Sequence, residues 1–426
     1  MQSEKGLSIG RYYFMKKIIA LALSVMMLLS ICSFALAEEY TPGVTVTANP
    51  ESKTGYTVTI VYEAPGADKV DLAGSFAFYY DDPEIRSKTP ETYYTPAEYA
   101  EGMFAIGQES HREPMTKVEG TDLFVIQYDL PSGHYQYCFY VGDDTVRKDD
   151  PTNPGQYANV ENGGKYTRSV FDVPYAEVQG SAQDYAYAAK LPADKAGTIT
   201  YVNYDAVDGS KGSLGIYTPN GYDAKRAEPY KVLYLAHGTD GDETSWYGGG
   251  AAANVFDNLI ANGEMEPALI VCMNAEKYTF SDPFEWDYDT QVEDIAKNII
   301  PFVEANYNVQ ADENGRAFAG LSRGAFLTSR VMAKYPELFK YFGMLSGGNS
   351  TLDISDKLDV IKTRNIMMGA GCYDFLYSGN SSSVAAYEEY LKNQGVECTN
   401  YTVHGAHEWF TWIQLLHDLG LNHLWK

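Results

Sequence analysis

The spacing of hydrophobic and polar residues divides the chain into two regions of different character. From residue 42 to about residue 175, short runs alternate apolar and polar positions, as strands with one buried face do. This pattern predicts strands at Tyr56–Tyr62, Lys69–Gly74, Leu123–Tyr128 and Gly133–Val141. Short strands at this spacing predict an all-β sandwich, which we place at residues 38–175.

A long insertion, from about residue 81 to residue 120, separates the second and third of these strands. Within it, Thr95-Pro96-Ala97-Glu98 has the sequence of a capping box with proline at the first helical position, which predicts a short helix. Loops of this length in a compact domain are usually functional or mobile.

Residues 176–195 are small and polar and predict a linker to the second region, residues 196–426. There, strands are predicted at Gly197–Asn203, Leu214–Thr218, Lys231–Ala236, Ala268–Met273, Arg316–Gly320, Tyr341–Leu345, Asn365–Gly369 and Asn400–Val403. Helices are predicted near Ala251–Ala261, Thr290–Glu304, Ser322–Lys334, Val384–Lys392 and Glu408–Leu419. This alternation predicts an α/β domain, in which helices cover both faces of a mostly parallel sheet of about eight strands.

The first 37 residues have the composition of a secretion signal. Lys16-Lys17 precede an apolar run from Ile18 to Leu29, and Ala35-Leu36-Ala37 forms a small-x-small cleavage site. The run is too short to cross a membrane as a helix, and Met15 fits as the start of translation. We therefore expect a protein that is secreted to the cell exterior and has no membrane association after cleavage.

Charge and cysteine content limit the partners and cofactors of the mature protein. The formal net charge is −25, and residues 1–37 carry more basic than acidic residues. Such a surface repels nucleic acid but not neutral polysaccharide. The cysteines that remain after cleavage have no Cys-x-x-Cys pair and no regular spacing: Cys138, Cys272, Cys372 and Cys398. We therefore expect buried free thiols, without a disulfide framework, metal or organic cofactor.

The stretch from Arg316 to Phe326 has the pattern of a buried strand, a sharp turn at Ser322 and a helix. Gly320-Leu321-Ser322-Arg323-Gly324 matches Gly-x-Ser-x-Gly, the nucleophile elbow that exposes a serine hydroxyl on a strained turn. Side chains at positions 320 and 324 would collide with a neighbouring strand or helix. The same pattern occurs in turns whose serine only caps a helix, so the rest of the chain must supply the catalytic partners.

A serine nucleophile requires a base, and the base requires an orienting carboxylate. In the α/β-hydrolase fold these follow in the order serine, acid, histidine. Asp374 follows a predicted strand at the sheet edge where catalytic groups gather, and we favour it as the acid. Asp356 and Asp359 lie in a polar segment before that strand and are the alternatives.

His407 lies in the loop after the last predicted strand, and we favour it as the base over His404, which is closer to the strand. His417 and His423 fall on or beyond the last helix, where surface or packing roles are expected. An oxyanion hole requires two backbone N–H groups. We expect one from Arg323, directly after the nucleophile.

The second N–H group is expected from the loop after Lys231–Ala236. There we assign Thr239, with Gly238 or Asp240 as alternatives. His237 is not a base candidate in this arrangement and is expected to shape the turn.

The C-terminal region resembles carbohydrate esterase family 1, the secreted feruloyl and acetylxylan esterases. The matching stretches span the domain in order: Ile216–Asp223, Val232–Gly238, Asp242–Trp246, Phe318–Ser322, Cys372–Tyr377 and Gly405–Trp409. The resemblance places the family's triad on Ser322, Asp374 and His407. The chain departs from the family at Arg323 and Ala325, where Met-Gly is common, and the Arg323 side chain would narrow the acyl pocket or favour an anionic group.

The N-terminal region resembles immunoglobulin-like domains related to family 48 carbohydrate-binding modules. The resemblance rests on Ala64–Val70, Leu130–Tyr137 and Asp150–Pro154. All five tryptophans lie outside this region, so tyrosines would have to provide any sugar-stacking surface. Sugar binding and a packing or orienting role are both open.

The resemblance implies a secreted serine esterase that hydrolyses feruloyl or related acyl esters on plant cell-wall xylan, such as arabinoxylan or its oligosaccharides. Candidates for an aromatic acyl pocket, each equally suited to a core, are Trp246, Tyr278, Phe375 and Trp409. The alternative enzyme is an acetylxylan or siderophore-type ester hydrolase. The alternative outside enzymes is a carbohydrate-binding protein with an inactive esterase domain, against which the intact Ser–Asp–His set argues.

Overall fold

A computed structural model of the chain describes residues 40–80, 93–106, 112–155, 168–178, 183–279 and 286–426. The predicted secretion signal and much of the long insertion lie outside the described residues. Residues Gly43–Lys426 form one compact unit. Nowhere in the described ranges is a helix long and apolar enough to cross a membrane.

The N-terminal region is built from antiparallel sheets. Its described residues contain strands β1 to β10: Gly43–Ala48, Tyr56–Glu63, Val70–Gly74, Phe78–Tyr80, Met103–Ala105, Glu113–Pro114, Thr116–Lys117, Leu123–Tyr128, Gly133–Val141 and Ser169–Val173. Their order is β1-β2-β8-β7 in one sheet, β10-β9-β3-β6 in a second, and β4-β5 in a small third. Tyr62 of β2 stacks on Phe139 of β9 with ring centroids 4.1 Å apart, so the two larger sheets share a core. The all-β prediction is confirmed, and the relation to carbohydrate-binding modules stays a prediction.

The capping box in the insertion begins a helical turn, as predicted. Pro96–Glu98 form a 3₁₀ turn, and the Glu98 carboxylate accepts hydrogen bonds from the Thr95 amide and hydroxyl, both at 2.9 Å. Tyr99 then meets Phe78 edge-on at 4.9 Å between centroids. This contact ties the described part of the insertion to the sandwich core.

The C-terminal region contains one eight-stranded sheet, of order β11-β12-β14-β13-β15-β16-β17-β18. Strands β11 to β18 are Thr198–Asp205, Lys211–Thr218, Lys231–Ala236, Ala268–Met273, Arg316–Leu321, Tyr341–Leu345, Asn365–Gly371 and Thr399–Val403. β12 pairs antiparallel with β11 and β14, and all other pairs are parallel. All eight predicted strands are present, and the predicted fold class is confirmed.

Helices cover both faces of this sheet. The α-helices α1 to α8 of the described chain are Ser245–Gly248, Ala252–Ala261, Tyr288–Asp294, Ile300–Asn306, Arg323–Lys334, Leu358–Ile361, Val384–Asn393 and Trp409–Asn422. A π-helical segment, Ile295–Ile299, joins α3 to α4. Along β13, Leu233 and Leu235 belong to the core under α2 and α8, whereas Val232 and Tyr234 belong to the core on the opposite face. Burial on both faces explains why these strands have continuous apolar runs.

The described C-terminal part of the predicted linker, residues 183–195, packs against the α/β region. Tyr185 is buried and meets Phe410 of α8 edge-on at 5.2 Å, and the Gln414 amide donates to its hydroxyl at 3.0 Å. Asn258 of α2 donates to the Ala189 carbonyl at 2.8 Å. The Tyr185 ring thus anchors this polar stretch to helices of the α/β region.

Within the described residues, no disulfide joins Cys138, Cys272, Cys372 or Cys398. Burial is confirmed for Cys138 and Cys272, whereas Cys372 and Cys398 are partly exposed. Cys372 follows β17 and Cys398 precedes β18, which places them at opposite edges of the parallel sheet.

Candidate active site

Ser322 lies at the turn between β15 and α5. Its backbone has φ 53° and ψ −116°, a combination that residues with a side chain rarely adopt. The Ser322 amide donates to the Leu345 carbonyl at 2.9 Å, and its carbonyl accepts from the Ala325 amide at 2.9 Å. These bonds hold a strained turn at the C-terminal edge of the sheet, which is the backbone geometry of a nucleophile elbow.

The two glycines of the motif are required by close approach of backbones. A Cβ atom at Gly320 would lie 2.4 Å from the carbonyl oxygen of Gly324, and one at Gly324 would lie 2.5 Å from that of Ala236. Neither distance admits a side chain. Helix α5 therefore begins directly against the end of β13, and the loop after Ala236 reaches Ser322.

The structure brings Ser322, Asp374 and His407 together. His407 Nε2 lies 2.9 Å from Ser322 Oγ, and His407 Nδ1 lies 3.0 Å and 3.1 Å from the two carboxylate oxygens of Asp374. Asp374 is buried and also accepts the Leu376 amide at 2.7 Å. Because a carboxylate can only accept, Nδ1 carries the proton, and Nε2 is left to accept one from the serine hydroxyl.

The alternative acids and bases lie away from Ser322. The His404 ring packs 5.7 Å from that of Phe104 in the sandwich. Asp356 and Asp359 are exposed on helical turns before β17. The remaining two C-terminal histidines are His417 and His423, and each contacts an aromatic side chain of another element.

His237 fixes the loop that follows β13. Its buried ring donates from Nδ1 to the Gly238 carbonyl at 2.6 Å and accepts the Ala275 amide at Nε2 at 2.9 Å. An Nε2 atom that accepts carries no proton, so this ring is neutral. Burial accordingly lowers the pKa of His237.

The same hydrogen bond orients the next amide. In a trans peptide the carbonyl and the following N–H point in opposite directions, so the Thr239 N–H points away from His237. A Cβ atom at Gly238 would lie 3.2 Å from Ser322 Cβ, which places this loop beside the nucleophile. The Asp240 amide already donates to Glu276 at 2.9 Å. Asp240 is therefore the weaker of the predicted oxyanion donors, and Thr239 the stronger.

A cavity of about 700 Å³ surrounds Ser322. Its wall includes Ser322 and His407 of the triad, the loop at Gly238–Gly241 and Arg323. Several large apolar side chains complete it: Leu321, Phe326, Phe375, Leu376, Trp409 and Trp412. The volume is that of a site for a small organic ligand, and two predicted substrate-binding residues, Phe375 and Trp409, border it.

The other two predicted substrate-binding residues, Trp246 and Tyr278, do not border this cavity. Trp246 is fully buried, donates from its indole to the Ala236 carbonyl at 2.9 Å and meets Trp409 at 5.5 Å. Tyr278 is buried in the short helical turn that starts at Glu276. The structure therefore places neither ring at the wall of this cavity, and their role in substrate binding stays a prediction.

Two further residues shape the site in ways that the sequence prediction did not include. Trp412 meets His407 edge-on at 5.1 Å and donates to Ser346 Oγ at 2.9 Å. Its spacing of three from Trp409 on one helix is the signal that would have identified it. The centroid of the Trp286 ring lies 4.8 Å from the guanidinium carbon of Arg323, a cation–π contact that holds the Arg323 side chain.

The sandwich contacts the loops that carry the acid and the base. Tyr373 directly precedes Asp374 in the chain, and its ring lies 5.6 Å from that of Phe104 and 5.7 Å from that of Tyr79.

A second contact of the sandwich is made by buried His134, whose ring bridges Asp172 at 2.6 Å and the Gly248 carbonyl of α1 at 2.8 Å. Both partners can only accept, so this ring carries two protons. Burial opposes that charge, but Asp172 and the Gly248 carbonyl together outweigh it and raise the pKa of His134.

A family model named Esterase, with the description "Putative esterase", matches residues 208–421, half of the chain. The chain belongs to this esterase family. Its C-terminal region is accordingly a carboxylic-ester hydrolase domain of the α/β-hydrolase fold.

Two curated relatives of this chain are named as xylanases. The "Endo-1,4-beta-xylanase/feruloyl esterase" of Xylanibacter ruminicola is 30% identical over 250 residues, which are 57% of this chain and 33% of that protein. "Endo-1,4-beta-xylanase Y" of Acetivibrio thermocellus is 29% identical over 211 residues, 43% of this chain and 19% of that protein. The chain spans at most a third of the length of these relatives.

Among solved structures, the feruloyl esterase module from Clostridium thermocellum, in complex with sinapinate, is 21% identical to this chain. The superposition has a TM-score of 0.47 and covers 64% of this chain and 95% of that one.

Proposed function

We propose that this protein is a secreted serine esterase that hydrolyses feruloyl or related acyl esters on plant cell-wall xylan. The observation that carries the proposal is the chain of contacts from Ser322 Oγ through His407, at 2.9 Å, to the buried carboxylate of Asp374, at 3.0 Å. The names of the two curated relatives support xylan-linked esters as the substrates.

In the proposed reaction, His407 Nε2 takes the hydroxyl proton as Ser322 Oγ attacks the ester carbonyl carbon. The amides of Thr239 and Arg323 donate to the resulting oxyanion. The bond to the alkoxy oxygen then breaks as the imidazolium returns its proton to that oxygen. The alcohol leaves, and the acyl group remains on Ser322. Water, deprotonated by His407, then attacks the acyl carbon. The bond to Ser322 Oγ breaks as His407 returns the proton to that oxygen, and the acid is released.

The size and lining of the cavity favour an aromatic acyl group over acetyl. An acetyl group would leave most of the 700 Å³ unfilled. The rings of Phe326, Trp409 and Trp412 offer apolar surface for a larger acyl group. Arg323 adds a positive charge at the wall, which would favour an acyl group that carries oxygen substituents.

Hydrolysis of methyl ferulate and of a small acetate ester tests this proposal. We expect Ser322→Ala to lower kcat by at least about a thousandfold. Ser355→Ala, at an exposed serine outside the cavity, is the matched control and is expected to match the wild type. Equal rates for Ser322→Ala and wild type would contradict the mechanism. Cleavage of acetate without cleavage of ferulate would instead indicate a deacetylase.

Secretion is supported by the predicted signal at residues 1–37. N-terminal sequencing of protein recovered from the culture medium is expected to begin at Glu38. Protein found only inside the cell, with residues 1–37 intact, would contradict secretion without affecting the esterase proposal.

A further inference from the structure

We propose that Phe375, together with Asn380 and Ser382, forms the subsite for the sugar that is the alcohol half of the proposed ester. The inference rests on the proposed function, because it presupposes ester hydrolysis at Ser322. It moves Phe375 from the acyl pocket, where the sequence analysis placed it, to the leaving-group side of the nucleophile.

The reaction itself locates the alcohol half. The leaving alkoxy oxygen must come within hydrogen-bond distance of His407 Nε2, because the imidazolium is its proton donor. The alcohol therefore lies beside the His407 ring, whichever direction the acyl half takes. The Phe375 ring is 4.4 Å from the His407 ring, centroid to centroid, and is tilted by 45°. This places Phe375 where the alcohol departs.

Phe375 is displayed to solvent on a fixed turn. It is 67% exposed, more than any other large apolar side chain in the described ranges, whereas its neighbours Asp374 and Leu376 are buried. The turn is closed by two hydrogen bonds to Asp374, from the Leu376 amide at 2.7 Å and from the Tyr377 amide at 2.9 Å. An exposed aromatic ring on a rigid turn at a cavity mouth can bind a ligand with little loss of conformational entropy.

The surroundings of the ring indicate the chemistry of the alcohol. Asn380 and Ser382 border the same cavity a few residues further along the chain. They supply uncharged amide and hydroxyl groups next to a flat apolar face. A sugar ring has the matching surface, since its C–H face is apolar and its hydroxyls project from the rim.

Other classes of alcohol fit the leaving-group side of the cavity less well. A fatty alcohol would require a continuous apolar wall, which the amide of Asn380 interrupts. An anionic alcohol would require a cation, and among the described cavity residues from Phe375 to Ser382 none is charged. The neutral polar rim therefore selects a sugar.

Two esters with the same acyl group separate this subsite from the acyl pocket: methyl ferulate and the 5-O-feruloyl ester of arabinofuranose. The readout is the ratio of kcat/KM for the sugar ester to kcat/KM for the methyl ester. We expect Phe375→Ala to lower this ratio by about tenfold or more, the loss of one well-packed aromatic contact. Phe375→Tyr, which keeps the ring, is expected to stay within about threefold of wild type, as is the control Tyr175→Ala at a partly exposed aromatic residue of the sandwich.

If Phe375→Ala slows both esters by the same factor, the subsite is overturned, and Phe375 acts on the acyl half or on His407. A second measurement needs no turnover. Calorimetric titration of Ser322→Ala with an arabinoxylan oligosaccharide is expected to show a Kd that weakens about tenfold or more in the double variant with Phe375→Ala. Equal Kd values would overturn the subsite. A wild-type protein that hydrolyses neither ester would contradict the proposed function instead, and the titration would still decide the subsite.

Discussion

The two regions of the molecule contribute to the site in different ways. In the described chain, every residue that borders the cavity comes from the α/β region. The sandwich borders none of it, yet its Phe104 and Tyr79 pack against Tyr373, the residue before Asp374. One region therefore carries the chemical groups, and the other supports the loops that hold them. A region can be part of an active site without contacting the substrate.

The largest effect is expected from the base, because all proton transfers of the proposed reaction pass through it. We expect His407→Gln to lower kcat by at least about a thousandfold. His404→Gln is the matched control, since this ring contacts Phe104 at the boundary with the sandwich. It is expected to keep kcat within about threefold of wild type. The reverse ranking in steady-state assays would assign the base to His404.

A smaller loss of kcat is expected when the loop that carries Thr239 loses its hydrogen bond to His237. His237→Ala removes the hydrogen bond that orients the Gly238–Thr239 peptide. Loss of a whole oxyanion donor costs about 10²–10³ in kcat, so we expect a loss of roughly tenfold to a hundredfold, with KM changed less than about threefold.

The rescue variant for this position is His237→Asn, whose amide nitrogen can donate in place of Nδ1. If His237 orients the Thr239 amide, kcat of His237→Asn should be nearer to wild type than kcat of His237→Ala. His237→Asn should also bind a trifluoromethyl ketone inhibitor more tightly than His237→Ala does. A change in KM alone in these variants would contradict this orienting role of His237.

Because the sandwich supports the loop that carries Asp374, we expect a still smaller loss of kcat when that support is removed. Phe104→Ala should cost about 3–5 kcal/mol of stability, as for other buried phenylalanines, and should lower kcat by roughly twofold to tenfold through movement of the Asp374 loop.

Phe124→Ala is the matched control, because this ring is equally buried in the sandwich core and belongs to β8. It should lower the Tm to a similar extent but leave kcat within about twofold of wild type, measured well below either Tm. Identical kcat values for both variants would show that the sandwich does not act on the catalytic loop.

The smallest effect is a pH dependence of stability at Glu408, which follows His407 and caps α8. Burial raises the pKa of Glu408 to about 8, and its Oε1 lies 3.0 Å from the Thr411 hydroxyl. The Phe410 and Thr411 amides and the Thr411 hydroxyl donate to this carboxyl group and oppose the rise in its pKa, but burial outweighs them. The folded protein therefore holds this proton more tightly than the unfolded chain does.

The resulting contribution to stability is fully present below the usual carboxyl pKa of 4.5 and is lost as the pH rises through about 8. In Glu408→Gln, we expect the fall in Tm across this window to be smaller by roughly 2–4 °C, the shift that about 1 kcal/mol produces. Thermal unfolding followed by circular dichroism measures it. Glu389→Gln, at an exposed glutamate of α7, should retain the wild-type profile, and an unchanged profile for Glu408→Gln would remove Glu408 as the cause.

The α/β region could be predicted from its sequence because its signals are local. Strand ends, the glycines beside Ser322 and the positions of Asp374 and His407 all follow from short patterns. The contact between Phe104 and Tyr373 has no such signal, because it joins residues distant in sequence whose pairing depends on tertiary packing. For the same reason Trp246 could not be told from a pocket residue, since a buried indole and a ligand-binding indole have the same residue type.

The central claim, that Ser322 is the nucleophile, is tested most directly by covalent labelling. The full-length protein is treated with diethyl p-nitrophenyl phosphate, which phosphorylates activated serines, and the adduct is mapped by mass spectrometry. We predict one diethylphosphoryl group on Ser322, complete loss of esterase activity when it is present, and no labelling of Ser322→Ala. An adduct on a different serine that abolishes activity, or full activity with Ser322 phosphorylated, would contradict the account.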